Sequence, residues 1–378
     1  MRVLVIGGAG FVGSHTVDAL LQQGHAVRVA DNLDTQVHPQ GEWPQYLNRA
    51  AEFVKVDLRD IAALRQALAG IEAVFFFAGA VGVGDSMYRI RHYAEANLMG
   101  AANFLEILAN DRHSMQKVVL SSSVTVYGEG KYRCAKHGMV FPARRSAEQI
   151  AARQWDPVCA VDEGNRRCGQ LLEGLPMDEE KPLAPQSVYA ITKQNQEQMF
   201  LTVGRTYGVP VAVLRYFNVF GTRQALSNPY TGVAKIFATS LARGEAPILY
   251  EDGLQSRDFV HVRDVVEANL LALEKQEANN EIFNVGTGRP TSVMEVATAL
   301  AKIQNFRGEL QASNRCRAGD IRHCWADISK IRKRLGYQPR SVFPSGLEDV
   351  VEWSSSGKGE NSSDQQPESE MNRRGLIS

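Results

Sequence analysis

Tyr189 and Lys193 stand four residues apart in Ser187-Val188-Tyr189-Ala190-Ile191-Thr192-Lys193. On a helix that spacing puts both side chains on one face, one turn from each other. A free phenol ionises near pH ~10, too high to act as a base at neutrality. An ammonium one turn away favours the phenolate and lowers that value. Such a pair can take a proton from a substrate hydroxyl, provided that another group accepts the hydride. On its own, Tyr-x-x-x-Lys describes many solvated surface helices. It gains meaning from a serine cluster upstream, Ser121-Ser122-Ser123, and from a glycine-rich turn near the start of the chain.

That turn is Gly7-Gly8-Ala9-Gly10-Phe11-Val12-Gly13, which follows the apolar run Val3-Leu4-Val5-Ile6 and precedes a helical segment through Leu21. Gly7 suits the tight turn, Gly10 lets backbone approach a pyrophosphate, and Gly13 lets helix pack on strand. A second strand ends at Asp31-Asn32-Leu33. An acid about 20 residues after the glycines can accept from both hydroxyls of an adenosine ribose and repels a 2′-phosphate, so NAD is favoured over NADP. A third strand ends at Asp57-Leu58, where Asp57 either meets the adenine amino group or caps the next helix.

The elements that must hold these residues are read from periodicity. Short apolar strands at 3–6, 26–30, 53–56, 73–77, 117–120 and 211–215 alternate with helical segments, which argues a mainly parallel sheet. Small residues from Ala78 to Gly84 let backbone lie against a ligand. Ser121–Ser123 follow the fifth strand, on the side of such a sheet where ligands bind. A helix from Tyr93 to Asn110 carries Asn97. Between Gly128 and Lys181 the pattern breaks, and residues 129–181 are expected to be an insertion. It holds Cys134, His137, Cys159 and Cys168, either a structural zinc site of soft ligands or reduced cysteines in a surface excursion. From Ser354 onward the composition is that of a disordered tail.

The chain has 378 residues, 44% of them hydrophobic, and a formal net charge of zero. This balance gives no reason to expect nucleic acid or an anionic membrane as partner. No apolar run spans a bilayer. A strand-like segment at once after Met1 leaves no room for a signal peptide, and five cysteines argue against a disulfide framework. A cytoplasmic protein is expected.

Together the glycine turn, Asp31-Asn32-Leu33, Asp57-Leu58, Ser121–Gly128, Tyr189-x-x-x-Lys193, Arg215-Tyr216-Phe217-Asn218, Arg257–Val262 and Arg317-x-Gly-Asp320 resemble the extended short-chain dehydrogenase/reductase family, specifically its nucleotide-sugar epimerases. The resemblance covers nearly all of residues 1–353. It implies a Rossmann domain, a doubly wound parallel sheet over 1–217 with tightly held NAD, then a smaller, mainly sugar-nucleotide-binding domain over 218–353, and a homodimer built from helices. By position, Ser123 would bind the sugar hydroxyl, Tyr189 would be the base, and Lys193 would bind the nicotinamide ribose. Gly7, Gly10, Phe11, Val12, Gly13, Asp31, Asn32, Asp57, Leu58, Ala78, Asn97, Ser121 and Tyr216 would also contact the cofactor. Val83, Val124, Thr125, Asn218, Arg223, Asn228, Arg257, Arg317 and Asp320 would join Ser123 at the substrate. Related dehydratases carry an Asp-Glu pair where Val124 and Thr125 stand. The resemblance therefore implies 4-epimerization through a 4-keto sugar. Val81–Tyr88, the cysteine-bearing insertion and Arg223–Val233 resemble members that interconvert dTDP-L-rhamnose and dTDP-6-deoxy-L-talose. A UDP-hexose 4-epimerase, a nicotinamide-dependent 4-ketosugar reductase and a catalytically idle relative are the alternatives.

Overall fold

A computed structural model describes residues 1–162, 164, 167–225, 232–317, 319–341, 343–356, 372–375 and 377. The first half alternates as the apolar pattern requires. The order is β1 (Arg2–Ile6), α1 (Phe11–Gln22), β2 (Ala26–Asp31), β3 (Glu52–Lys55), α2 (Ile61–Ala67) and β4 (Ala73–Phe76). Short α3 (Val83–Ser86) and α4 (Ile90–Tyr93) follow, then a π turn (Ala94–Met99), α5 (Gly100–Asn110) and β5 (Lys117–Ser123). The single helix expected over 93–110 is thus broken by a π turn that carries Asn97. β5 runs three residues beyond the expected end, because Ser121, Ser122 and Ser123 pair in register with Leu214, Arg215 and Tyr216.

The insertion supplies β6 (Lys131–Cys134), β7 (Gly138–Val140), α6 (Ala147–Ala151) and β8 (Glu173–Leu175), with the three strands paired as β7-β6-β8. Then come α7 (Val188–Tyr207), β9 (Val211–Tyr216), β10 (Asn218–Phe220), α8 (Val233–Ala242), β11 (Ser256–Arg257), β12 (Phe259–His261) and α9 (Val262–Glu274). The last part holds β13 (Glu281–Val285), β14 (Thr291–Ser292), α10 (Val293–Ile303), β15 (His323–Cys324), α11 (Ser329–Leu335) and α12 (Leu347–Ser355). Residues 248–250 contribute a single bridge, from Leu249 to Ala312.

Seven parallel strands form the central sheet in the order β13-β9-β5-β4-β1-β2-β3. Its inner strands are buried on both faces, so they read as continuous apolar runs. Alternate side chains divide between two cores. Val3, Val5, Phe75 and Val119 pack on the face that carries α1 and α9. Leu4, Ile6, Phe76 and Leu120 pack on the face that carries α5 and α7. A third core, from Phe237, Leu241, Leu300 and Leu347, holds the smaller lobe.

β13 corrects the expected division of the chain. It lies beyond residue 217, yet it is the edge strand of the large sheet, paired with β9 from Glu281↔Ala212 to Val285↔Tyr216. α9 likewise packs Val265, Ala268 and Ala272 into the core on the α1 face. The chain therefore enters the smaller lobe and returns. Of the span expected to be disordered, Ser354 and Ser355 close α12, and Ile377 bridges Arg317. Residues 357–371, 376 and 378 lie outside the described residues.

Candidate active site

The glycine turn links β1 to α1 as a close backbone contact. Gly7 takes φ +80°, and a Cβ there would lie 2.7 Å from the Ala78 nitrogen. A Cβ on Gly13 would lie 2.2 Å from the Gly7 oxygen. Bare backbone thus faces a cleft of about 690 Å³ at the ends of the strands. Gly7, Gly10, Phe11, Val12, Gly13, Asp31, Asn32, Asp57, Leu58, Ala78, Ser121 and Tyr216 all line it. So do Val83, Ser123, Val124, Thr125, Tyr189, Lys193 and Asn218. The glycine cradle, the acid at the end of β2 and the buried, unpartnered Oδ1 of Asn218 suit a dinucleotide with a polar group beyond it.

Asp31 accepts from the Ala9 and Leu33 nitrogens, each at 3.0 Å. Burial pushes its carboxyl up from the ordinary range, against those two donors. Asp57 is not a helix cap. Arg59 forks onto both of its oxygens, at 2.9 and 2.6 Å, and holds it below its ordinary value. Asp60 caps α2 instead, accepting from Ala62 and Ala63.

Tyr189 is the second residue of α7, whose first turn is fixed by Ser187 accepting from the Ala190 nitrogen at 3.2 Å. Lys193 is one turn on. Its Nζ donates to the Ser121 oxygen at 2.9 Å, which ties the helix to the end of β5. Burial pushes the Tyr189 phenol up to about 12, opposed by the Ser123 hydroxyl. Burial also pushes Lys193 down to about 8, opposed by Glu197. The expectation that Lys193 lowers the Tyr189 pKa is thus not met here. Desolvation disfavours both charged forms, and the ammonium is committed to a carbonyl. Ser123 Oγ accepts from the Thr125 nitrogen at 3.2 Å and from Thr125 Oγ1 at 3.0 Å.

Two buried supports were not read from the sequence as such. Glu197, one turn beyond Lys193, takes Arg215 Nε at 2.9 Å and Nη2 at 2.7 Å, and Ser122 Oγ at 2.5 Å. Arg215 also donates to the Tyr127 hydroxyl at 2.8 Å. A charged residue at the end of an apolar strand, and an acid in phase with Tyr189 and Lys193, were the available signals. Asn97, expected at the cofactor, is fully buried in protein contacts. It accepts from the Ala80 nitrogen at 2.7 Å and donates to Thr192 Oγ1 at 2.9 Å, so it fixes the loop after β4 against α7.

The expected arginines gather apart from the cleft lining. Arg257 donates to Asp320 Oδ1 at 2.8 Å, and Arg317 pairs with Asp320 at 3.1 Å while lying over the Tyr250 ring. Burial pushes the Asp320 carboxyl up, but Arg317 and Arg257 outweigh it and hold the group below its ordinary value. Arg223 pairs with Asp18 at 2.7 Å and covers the Tyr46 ring. Asn228 lies outside the described residues. Phe76 packs on Phe104 and Phe200, away from the cleft. In the insertion, the ligand atoms of Cys134, His137, Cys159 and Cys168 all come within 4.8 Å of one another. The wide spacing between Cys159 and Cys168 is closed by antiparallel bridges, Val158 to Leu171 and Asp162 to Arg167.

The model of the NAD dependent epimerase/dehydratase family matches residues 3–142 and 168–286, which include the glycine cradle, Tyr189 and Lys193. The chain belongs to this family. Among the relatives of this epimerase is the dTDP-L-rhamnose 4-epimerase of Burkholderia thailandensis, 31% identical over 93% of this chain and 94% of that one. The UDP-glucose 4-epimerase of Bacillus subtilis is 30% identical over 94% of this chain and 97% of that one. The crystal structure of a Thermotoga maritima UDP-glucose 4-epimerase with UDP-glucose matches with TM-score 0.74 and 32% identity, covering 93% and 98% of the two chains. A Thermus thermophilus UDP-glucose 4-epimerase in complex with NAD matches with TM-score 0.73 and 30% identity, covering 94% and 99%. The protein is thus an enzyme of the nucleotide-sugar epimerase kind, on their Rossmann-like fold. No helix among the described residues is long and apolar enough to cross a membrane.

Proposed function

We propose that this epimerase holds NAD and inverts C4 of a nucleotide-linked sugar, interconverting dTDP-L-rhamnose and dTDP-6-deoxy-L-talose. The chief support is the meeting of Ser123, Tyr189 and Lys193 on the wall of one cleft with the glycine cradle. Val124 and Thr125, which offer no acid for an elimination, follow the serine. The sugar assignment leans on the similarity to the Burkholderia thailandensis enzyme over 93% of the chain.

Gly7, Gly10 and Gly13 would receive the cofactor's pyrophosphate, and Asp31 its adenosine ribose. NAD, when bound, supplies the hydride acceptor and, while oxidised, a positive charge in the cleft that favours a phenolate. Tyr189 Oη removes the C4 hydroxyl proton, and Ser123 Oγ holds that oxygen in line. Loss of proton and hydride leaves a 4-keto sugar. When the sugar has presented its other face, Tyr189 would give the proton back to the same oxygen, and the bound nicotinamide would supply the hydride. Nothing is consumed, so the two sugars reach a fixed ratio.

A homodimer and a cytoplasmic setting belong to the same reading. Ile90, Met99 and Ile191 expose large apolar side chains on the neighbouring helical segments α4, the π turn and α7, which suits helix pairing between two copies. Five free cysteines suit a reducing compartment. A second reading, a UDP-hexose 4-epimerase, is favoured by relatives named UDP-glucose 4-epimerase at similar identity.

An NMR time course with dTDP-L-rhamnose and no added cofactor tests the proposal. New anomeric and C4 proton signals rising to a constant ratio support epimerization with resident NAD. An unchanged spectrum, followed by turnover of UDP-galactose, replaces the first reading with the second.

A further inference from the structure

Among the described residues, the insertion carries a core of Tyr132, Cys134, Cys159 and Leu172, with Val140 and Cys168 against it. So small an apolar cluster supports little structure without a staple. Three thiols and an imidazole converge within it. Cys134 ends β6, His137 sits in the tight turn to β7, and Cys159 and Cys168 face each other across the bridged loop.

Three of the separations match a closed tetrahedral shell, and all the ligand atoms lie within 4.8 Å of one another. Cys134 Sγ lies 3.9 Å from Cys168 Sγ and 3.6 Å from His137 Nδ1, and Cys159 Sγ lies 3.4 Å from the same nitrogen. Thiolates about 2.3 Å and an imidazole about 2.0 Å from one zinc ion would stand about 3.8 Å (sulfur to sulfur) and about 3.5 Å (sulfur to nitrogen) apart. A disulfide is a poorer account, since its sulfurs bond at about 2.05 Å and it would leave a thiol and the imidazole without purpose. Backbone N–H groups of Lys136 and His137 donate to Cys134, and that of Val161 donates to Cys159. Such donors stabilise metal-bound thiolate.

We propose that Cys134, His137, Cys159 and Cys168 bind a structural zinc ion, and that this ion fixes the insertion as a buttress for the smaller lobe. The buttress is visible in the contacts. Glu129 takes the Tyr132 hydroxyl at 2.8 Å and the Arg322 nitrogen at 3.0 Å, and the Tyr132 hydroxyl takes the His323 nitrogen at 3.2 Å. Arg322 in turn binds Asp156 of the insertion and Glu251 and Asp252 of the smaller lobe. The four ligands supply every position, so no water is activated and the ion takes no part in chemistry.

The test is metal analysis of the purified full-length protein, with cobalt exchange read by absorption. The expected result is about one zinc per chain, and a cobalt form with intense ligand-field bands of tetrahedral thiolate coordination. Cys168→Ser should lose the metal, whereas His137→Cys should keep it in a four-thiolate shell. Should Cys168→Ser fail to fold, stoichiometry and the cobalt spectrum of the unaltered protein still decide. Zinc well below stoichiometry, with all five thiols titrating freely, overturns the site. Two thiols missing from that titration and no metal would replace it with a disulfide.

Discussion

Glu197 and Arg215 meet through two parallel hydrogen bonds, 2.9 and 2.7 Å long, with both side chains 3% exposed. They join α7 to β9 directly beneath the turn that presents Tyr189 and Lys193. A forked pair of this kind is geometrically specific, but its charges are costly to bury.

Breaking the pair from one side strands a buried guanidinium. Glu197→Gln should therefore destabilise the fold by about 3–5 kcal/mol. Replacing both residues by Met should recover part of that loss, because neither charge is then left alone. Urea midpoints of the two variants and the parent check this. Equal losses in the single and double variants would mean that the pair serves packing and not charge compensation.

Tyr189→Phe should keep the fold and bound NAD while turnover falls by about 10²–10⁴-fold. The ring still packs against Tyr93, so only the phenolic oxygen is lost. Single-turnover kinetics together with the absorbance of retained cofactor separate the two effects. Activity near that of the parent would remove Tyr189 as the base.

Gly13→Ala should be far worse than an ordinary helix substitution, although alanine is the better helix former. Its Cβ would meet the Gly7 oxygen at 2.2 Å, a backbone atom that cannot step aside. The expected outcome is loss of NAD binding and about 1–3 kcal/mol of stability. Calorimetry with added NAD reads the first, and thermal melting reads the second.

Lys235 in α8 is buried, donates to the Ala225 oxygen at 2.9 Å, and is pushed down to about 8 by burial. An unfolded lysine ionises near 10.4. Between those values the unfolded chain binds more protons than the native one, so unfolding free energy rises with pH from about 8 to about 10.4. Below about 8 the cost of the buried ammonium is fully present. Lys235→Met should flatten that rise. Urea unfolding across the window checks it, and equal slopes in both proteins would sink the assignment.

What the sequence made legible was local. The glycine turn, the apolar strands and the Tyr-Lys spacing each declare themselves within about 20 residues, and the cleft brings most of them together. What it hid depends on distant partners. Ser121–Ser123 read as polar residues after a strand, yet pairing with β9 keeps them in it. Asn97, expected at the cofactor, braces Ala80 and Thr192, two contacts that its place in the sequence did not show. The expected helix there could not show its π turn, because apolar periodicity is nearly the same on either side. Arg317 and Asp320 stand together in one short motif, whereas the pairing of Asp320 with Arg257 crosses a sequence gap of more than sixty residues.

The return of the chain to lay β13 beside β9 has a practical consequence. The two lobes cannot be exchanged between relatives at a single splice point. A chimera joined at residue 217 would take its outermost sheet strand, and α9 on the sheet's face, from the donor of the sugar pocket. A fragment ending at residue 217 would leave β9 as an open edge, ready to pair with another molecule. Transplanting specificity calls for a junction at every passage of the chain between lobes, because α10 and α12 return to the core of the smaller lobe while α9, β13 and α11 belong to the larger one; only then does the cofactor sheet keep its own seventh strand.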